Sequence, residues 1–174
     1  MPAELLKITA LGKIEAFQQV ADFLIAKKYK FINLDIMRPW GFYFYIDDGQ
    51  IDKFIKEFYG SAKLEGIDSS LPLQPKIMVI QPHERLSWQY HNRRSEIWCC
   101  LGGSYQVVIN STDSETTPKL IKPGDIITIK QGFRHRCIGT DEWGMFAEIW
   151  QHTDSDNPSN EEDIVRLQDD YGRH

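Results

Sequence analysis

The 174-residue chain has no apolar run long enough to cross a bilayer, and its first residues, MPAELLKITALGKIEAF, lack the apolar core of a signal peptide. A cytoplasmic protein with no membrane partner is therefore expected. A basic run is missing too. Twenty Lys and Arg stand against 25 Asp and Glu, for a net charge of −5. That balance argues against a nucleic-acid partner while leaving room for a local cationic pocket that takes an anion. Cysteine is scarce, with only Cys99, Cys100 and Cys137. None forms a CxxC pair, which excludes the usual cysteine zinc site, and adjacent residues on a strand point to opposite faces, which excludes a disulfide framework. Buried thiols in a reducing compartment are the expectation. No internal repeat is visible. What is present is an ordinary globular composition, 41% hydrophobic and 26% charged, in one domain long enough to bury a full core.

The pattern along the chain changes once. Residues 13–28 place Ile14, Phe17, Val20, Ala21, Leu24 and Ile25 at helical spacing. RPWG at 38–41 stops any helix, and FYFYI at 42–46 reads as strand. A second helix is expected over about 51–59, with Ile51, Phe54, Ile55 and Phe58 on one side and Gly60 as its stop, followed by a loop over 61–75. From Lys76 onward short β-rich runs alternate with turns: KIMVI, RLSWQYH, EIWCCL, SYQVVI, KLI, DIITI, HRCIG and MFAEIW. Runs of this length and spacing point to an all-β closed barrel or double-sheet jelly roll. The acidic tail over 152–174 is expected to wrap over it. An amino-terminal helical extension thus covers 1–36 and the main domain 37–174.

Within the β region, LSWQYHNRRSEIWCCLGG over 86–103 carries Gln89, His91 and Glu96. Gln89 and His91 share one face of a strand, with Trp88 and Tyr90 on the other. Glu96 is an odd number of residues beyond His91, so a continuous strand would send it to the wrong face. The polar stretch Asn92 to Ser95 is turn-compatible and resets the phase, so a hairpin can bring all three together. A fourth candidate is His135, which follows the Gly132 turn in GDIITIKQGFRH; a strand from the second half of a jelly roll can lie beside the first hairpin. Two imidazoles, a carboxylate and an amide oxygen suit a divalent metal, zinc first, with manganese, iron, cobalt or nickel as alternatives. A lone histidine on a strand is by default structural, which is the reading for His83, His152 and His174.

These spacings resemble the cupin motifs. The first runs from His83 through Gln89-Tyr90-His91 and Glu96 to Gly103, the second from Gly124 through Lys130-Gln131-Gly132 and His135 to Gly139. Spacing matches while His83, Gln89, Lys130 and Gly139 depart in identity from the motif's glycine, histidine, proline and asparagine. The Gln-x-His form is similar to that of mannose-6-phosphate isomerases. The resemblance narrows to the cupin half of the type II class through Arg38-Pro39-Trp40-Gly41-Phe42-Tyr43, Leu86 to His91, Arg94-Ser95-Glu96-Ile97-Trp98, Gly132 with His135-Arg136, and Glu162 to Arg166 with Tyr171-Gly172-Arg173. It covers 38–48 and 76–173. It implies a cupin double-stranded β-helix, metal ligation by Gln89, His91, Glu96 and His135, and aldose–ketose isomerisation of a sugar phosphate through an enediolate that the metal stabilises. The nucleotidyltransferase half of that class is not in this sequence, so no sugar-nucleotide chemistry is expected. The amino-terminal helices and the stretch 49–75 stand outside the usual pattern.

Isomerisation also needs a base near the reacting carbons. Glu148, an acid among the apolar residues of MFAEIWQH, would be costly unless it faced a polar cavity, and it ranks just ahead of Lys76. Arginine suits bidentate phosphate binding, and Arg94, Arg166 and Arg173 match family arginines, with Arg93, Arg134 and Arg136 as weaker candidates. Tyr171, with Asp169 and Asp170, is expected to bind sugar hydroxyls or fasten the tail. As bland alternatives, Arg94 is a turn residue and Arg166 pairs with Glu162 on a short helix. Trp40, Trp88 and Trp98 read as core or pocket wall. Exposed barrel strands make a homodimer the expected assembly. The competing readings are an isomerase of a heptose phosphate or of a free pentose or hexose such as lyxose, a non-enzymatic sugar-binding cupin, and a dioxygenase.

Overall fold

A computed structural model describes residues 6–60 and 67–173. The first five residues, most of the first half of the 61–75 loop and His174 lie outside it, and with them the readings made for those positions. Among the described residues the elements are α1 (Lys13–Ala26), β1 (Phe31–Asp35), β2 (Gly41–Ile46), α2 (Ile51–Phe58), β3 (Leu73–Ile80), β4 (Trp88–His91), β5 (Arg94–Gly102), β6 (Tyr105–Asn110), β7 (Lys119–Ile121), β8 (Ile126–Ile129), β9 (Arg134–Gly139), β10 (Gly144–His152) and β11 (Ile164–Gln168). They form two antiparallel sheets, one in the order β1-β2-β3-β10-β5-β8 and the other β11-β4-β9-β6-β7. Every run of the β region becomes a strand. Two strands were not anticipated: β1 falls in the stretch read as a helical extension, and β11 in the tail.

Period-2 alternation sorts the six-stranded sheet into two buried faces. Phe42, Phe44, Ile77, Val79, Ile97, Ala147 and Ile149 point outward into one apolar core; Tyr43, Tyr45, Met78, Trp98, Phe146 and Trp150 point inward into another. The outward core is closed by α1 and α2. Phe17 stacks on Phe44 at 4.8 Å, and Leu24 and Phe54 are fully buried. Each such side chain contributes about 1.5–3 kcal/mol through burial. The α1 stripe faces the core at Phe17, Val20, Ala21 and Leu24 as expected and departs from the reading only at its two isoleucines. Ala16, Val20, Ala21 and Leu24 are buried, while Ile14 and Ile25 are exposed at 78% and 58%. Small residues let the helix lie close to the sheet, and the bulky isoleucines fall outside that contact. In α2, Phe54 and Phe58 are buried as the spacing suggests.

The expected hairpin around residues 92–95 is not one. β4 belongs to the five-stranded sheet and β5 to the six-stranded sheet, so Asn92 and Arg93 carry the chain from one sheet to the other. The consequence for Glu96 is the one anticipated, an inward direction, but its cause is a change of sheet. The tail is also better ordered than a wrap. β11 pairs with β4, putting Arg166 opposite Gln89, so Arg166 lies on a strand and not on a helix with Glu162. Just before β11, buried Asp163 accepts hydrogen bonds from the backbone N–H groups of Asn92 and Arg93 at 3.2 and 3.0 Å and from Ser159 Oγ at 2.7 Å. Asp163 thereby locks the tail onto the sheet-to-sheet crossing.

Two motif positions have a backbone reason. Gly103 adopts φ +62°, and a Cβ there would stand 1.9 Å from the Trp143 carbonyl oxygen, so only glycine fits. His83, at the position where the motif has glycine, keeps the left-handed conformation with φ +64°, which costs a residue bearing a Cβ about 1–2 kcal/mol. Cys99, Cys100 and Cys137 are buried, as expected. Among the described residues, no helix is long and apolar enough to cross a membrane.

Candidate metal centre and cavity

Strand register places the site. Across the six-stranded sheet Tyr45, Lys76, Glu148 and Trp98 stand in one row, with Trp150 opposite Glu96 two residues further along. Across the facing sheet Arg166, Gln89 and His135 form a second row, and His91 lies two residues from Gln89 on the same face of β4. Both rows point into the space between the sheets. Cross-strand neighbours on one face are within about 5.5 Å at Cβ, so residues far apart in sequence become a contiguous polar lining.

His91, Glu96 and His135 are all buried, and their ligating atoms lie within 4.8 Å of one another. Glu96 Oε1 is 3.1 Å from His91 Nε2, and Oε2 is 3.4 Å from His135 Nε2. The Nδ1 of His135 is 3.0 Å from the Phe133 carbonyl. A backbone acceptor there fixes the proton on Nδ1 and leaves the Nε2 lone pair free; that Nε2 is buried with no hydrogen-bond partner. Burial, outweighing the neighbouring Glu96, depresses His135 to about 4 and lowers His91 as well. Burial would raise Glu96, but His91, Arg94 and His135 together hold it well below the usual carboxylate range. At neutral pH the cluster is two neutral imidazoles and one carboxylate, with an unpartnered lone pair aimed among them. This donor set fits a divalent metal. Gln89 lines the adjoining cavity, and its Oε1 accepts from Ser87 Oγ.

The cavity itself measures about 40 Å³, room for a few waters at roughly 10–15 Å³ each. Glu148 and Lys76, read from sequence as alternative bases, are cross-strand partners that both line it, with Lys76 Nζ 3.8 Å from Glu148 Oε2. The ammonium sits 4.3 Å from the Tyr43 ring centre and 4.7 Å from those of Tyr45 and Trp150, a cage that favours a cation. Burial, reinforced by the Glu96 carboxylate and opposed by Lys76 and Arg94, pushes Glu148 up to about 8.

Arg94 is not a turn residue. It is 2% exposed, its plane is 3.5 Å over Trp150, and its donors are committed. Nε donates to Glu96 Oε1 at 2.8 Å and Nη1 to Ser159 Oγ at 2.9 Å, while Nη2 is 3.1 Å from His91 Nε2. Arg166 and Arg173 line the cavity, and Arg166 Nε is buried without a hydrogen-bond partner. Arg173 is held by Asp169, and Arg136 is internal, donating to Leu86 O and Glu115. Tyr171 is turned elsewhere: its hydroxyl donates to Glu84 Oε2 at 2.5 Å. The sequence reading missed Arg38 and Glu161, both in the lining. Arg38 was visible as the head of RPWG, whereas Glu161 sits in an acidic run that looks like any solvated tail.

The family model "Mannose-6-phosphate isomerase C-terminal" matches residues 50–169, so the match runs through the stretch after 49 that had seemed foreign to the pattern. Mannose-1-phosphate guanylyltransferase ManC of Salmonella typhimurium is 29% identical over 142 residues, 82% of this chain and 24% of that protein. Mannose-1-phosphate guanylyltransferase of Escherichia coli is 28% identical over the same shares. The chain thus spans about a quarter of the length of these relatives. Among solved structures, a mutant of Bacillus subtilis oxalate decarboxylase OxdC aligns with TM-score 0.53 and 15% identity over 75% of this chain and 29% of that one. That likeness places the architecture among the cupins.

Proposed function

The chain belongs to the mannose-6-phosphate isomerase C-terminal family, and from that premise we propose that it is a metal-dependent isomerase interconverting the aldose and ketose forms of a sugar phosphate, with mannose 6-phosphate the reference substrate. One observation carries the proposal. A cavity between the sheets is lined by Glu96 of a metal-competent cluster, by a buried acid paired with a caged lysine, and by Arg166 with a donor to spare. A protein that only bound a sugar would gain nothing from burying the ionisable pair Glu148 and Lys76 at the cost of desolvating both groups.

His91, Glu96 and His135, with Gln89 as fourth donor, would hold a divalent metal, zinc first, which when bound supplies Lewis-acid polarisation of adjacent substrate oxygens. Glu148 removes the proton from C2 of the aldose and returns it to C1 while the O2 hydroxyl proton passes to O1, so the sugar is isomerised with no net change in atoms or electrons. Burial pushes Glu148 up to about 8, a basicity suited to taking a carbon-bound proton, and Lys76 beside it favours the ionised form that acts as the base. Lys76 keeps positive charge beside Glu148 and the substrate oxygens. Arg94 fixes Glu96 and His91 in place through its own hydrogen bonds. Arg166 receives the phosphate, since its buried, unpartnered Nε is a donor awaiting an acceptor, and Arg173, held by Asp169, adds positive charge to the same lining.

The test is proton NMR of the zinc-loaded protein in D2O with mannose 6-phosphate, fructose 6-phosphate, a heptose phosphate, lyxose and mannose. Growth of the partner aldose or ketose, or loss of the C2 proton signal, is the expected result, and removal of the metal with a chelator abolishes it. Unchanged spectra for every sugar on metal-loaded protein would sink the isomerase reading.

A further inference from the structure

We propose that Glu161 is a built-in competitor for the anion subsite of this cavity, a carboxylate that the substrate's phosphate must displace to bind. The inference rests on the sugar-phosphate reading and adds a residue that reading does not use. Glu161 arrives from the tail, on the single helical turn Glu161–Asp163 that precedes β11. Its Oε1 accepts from the Tyr45 hydroxyl at 2.8 Å and lies 3.7 Å from Lys76 Nζ; its Oε2 is 4.0 Å from Arg38 Nη2. Burial alone would raise its pKa, yet Lys76, Tyr45, Arg94 and Arg38 together hold it below the usual carboxylate range. A charged carboxylate therefore occupies the cationic part of the lining.

Which partner can leave is decided by exposure. The Glu161 side chain is 41% exposed, while Lys76 is 5% exposed and caged by three rings. Lys76 cannot follow water out without abandoning buried Glu148, but Glu161 can turn outward and be hydrated at little cost. The cavity is narrow, about 40 Å³, and an anion seated beside Lys76 and Arg38 meets the Glu161 carboxylate there. Glu161 is the charged lining group with both an exposed side chain and a contact pattern that an incoming anion reproduces. A phosphate dianion replacing it restores the partners of Lys76 and Arg38 and brings acceptors to Arg166. A neutral sugar displacing it would leave those cations uncompensated.

The experiment is calorimetric titration of inorganic phosphate into the full chain, comparing wild type with Glu161→Gln, Tyr45→Phe and Lys76→Met. Glu161→Gln removes the competing charge, and phosphate is expected to bind about fivefold tighter, the scale of a partly exposed ion pair. Tyr45→Phe, which removes only the hydroxyl that holds the carboxylate, should tighten binding about twofold, and it carries the test should Glu161→Gln melt early. Lys76→Met should weaken binding. Phosphate affinity that is unchanged or weaker in both Glu161→Gln and Tyr45→Phe overturns the proposal, as does binding indifferent to Lys76. Because no sugar is present, failure of isomerisation with every sugar leaves this result standing, and failure here leaves the isomerase assay untouched.

Discussion

The two faces of the six-stranded sheet are built by the same strands and are equally buried, yet they do different work. On β10, Met145, Ala147 and Ile149 go outward to meet the helices, while Phe146, Glu148 and Trp150 go inward. On β5, Ile97 and Cys99 go outward, Glu96 and Trp98 inward. The outward core is apolar throughout, and its contribution is area removed from water. The inward face carries Lys76, Glu96 and Glu148 at 4%, 2% and 3% exposure, charges whose desolvation works against folding unless partners repay it. Stability is therefore concentrated on one side of a sheet and chemistry on the other. The amino-terminal helices pack on the outward face, across the sheet from Lys76, Glu96 and Glu148.

Four substitutions would break or sharpen this contrast. The largest effect is expected at the cluster: Glu96→Gln or His135→Ala should abolish metal retention, measured by elemental analysis after dialysis, and lower isomerase turnover by about a thousandfold or more, equivalent to the several kcal/mol a Lewis acid supplies. Metal content matching wild type in both variants would contradict the ligand assignment. Glu148→Gln should cost about 10²–10⁴ in kcat and keeps the side-chain volume, so the melting temperature should fall only by what Lys76 loses as a partner; a loss of about 3 kcal/mol or more would mean that Glu148 is structural. On the opposite face, Phe44→Ala should cost about 3–5 kcal/mol in denaturant unfolding, with kcat per folded molecule unchanged. If kcat falls with it, the two faces are not separable.

The smallest effect concerns the tail. Burial would raise Asp163, but Ser159 and the backbone N–H groups of Arg93 and Asn92 hold its folded pKa below the usual value. A depressed carboxylate contributes stability above its unfolded pKa of about 3.9, and that contribution is lost as pH falls through the folded value. Asp163→Asn should thus destabilise by about 1–3 kcal/mol at neutral pH and flatten the decline of melting temperature below pH about 4. An acid limb identical to that of wild type would show that Asp163 is not the lock holding the tail to the crossing.

Much of this was legible before any coordinates. Short β-rich runs bounded by turns mark each strand from β2 to β10, and the joint spacing of Gln89, His91, Glu96, Gly103, Gly132 and His135 singles out the histidines and the glutamate. The helical stripe of α1 is legible at Phe17, Val20, Ala21 and Leu24, while Ile14 and Ile25 fall outside it and Ala16 inside, because hydrophobicity alone favours isoleucine over alanine whereas close packing on a sheet rewards the small side chain. The inside position of Glu161, and the partners of Arg94, are hidden for a related reason. A charged residue next to a turn or in an acidic tail has the composition of a solvated surface, and only its partners across the fold reveal that it is inside. The hairpin was a plausible error, since a two-residue crossing between sheets and a two-residue turn within one sheet have the same local chemistry.

What the sequence by itself determined is periodic and local: which residues share a face of a strand, where glycine is required as at Gly103, and which donors could hold a metal. Tertiary structure alone decided register and partnership. It set Glu148 against Lys76, Gln89 between Arg166 and His135, and a carboxylate from the tail among the cations of the cavity. The physical reason is that side-chain alternation follows from the backbone of each strand taken singly, whereas register is chosen by the packing of all eleven strands at once, and charges settle where that packing leaves a partner to satisfy them.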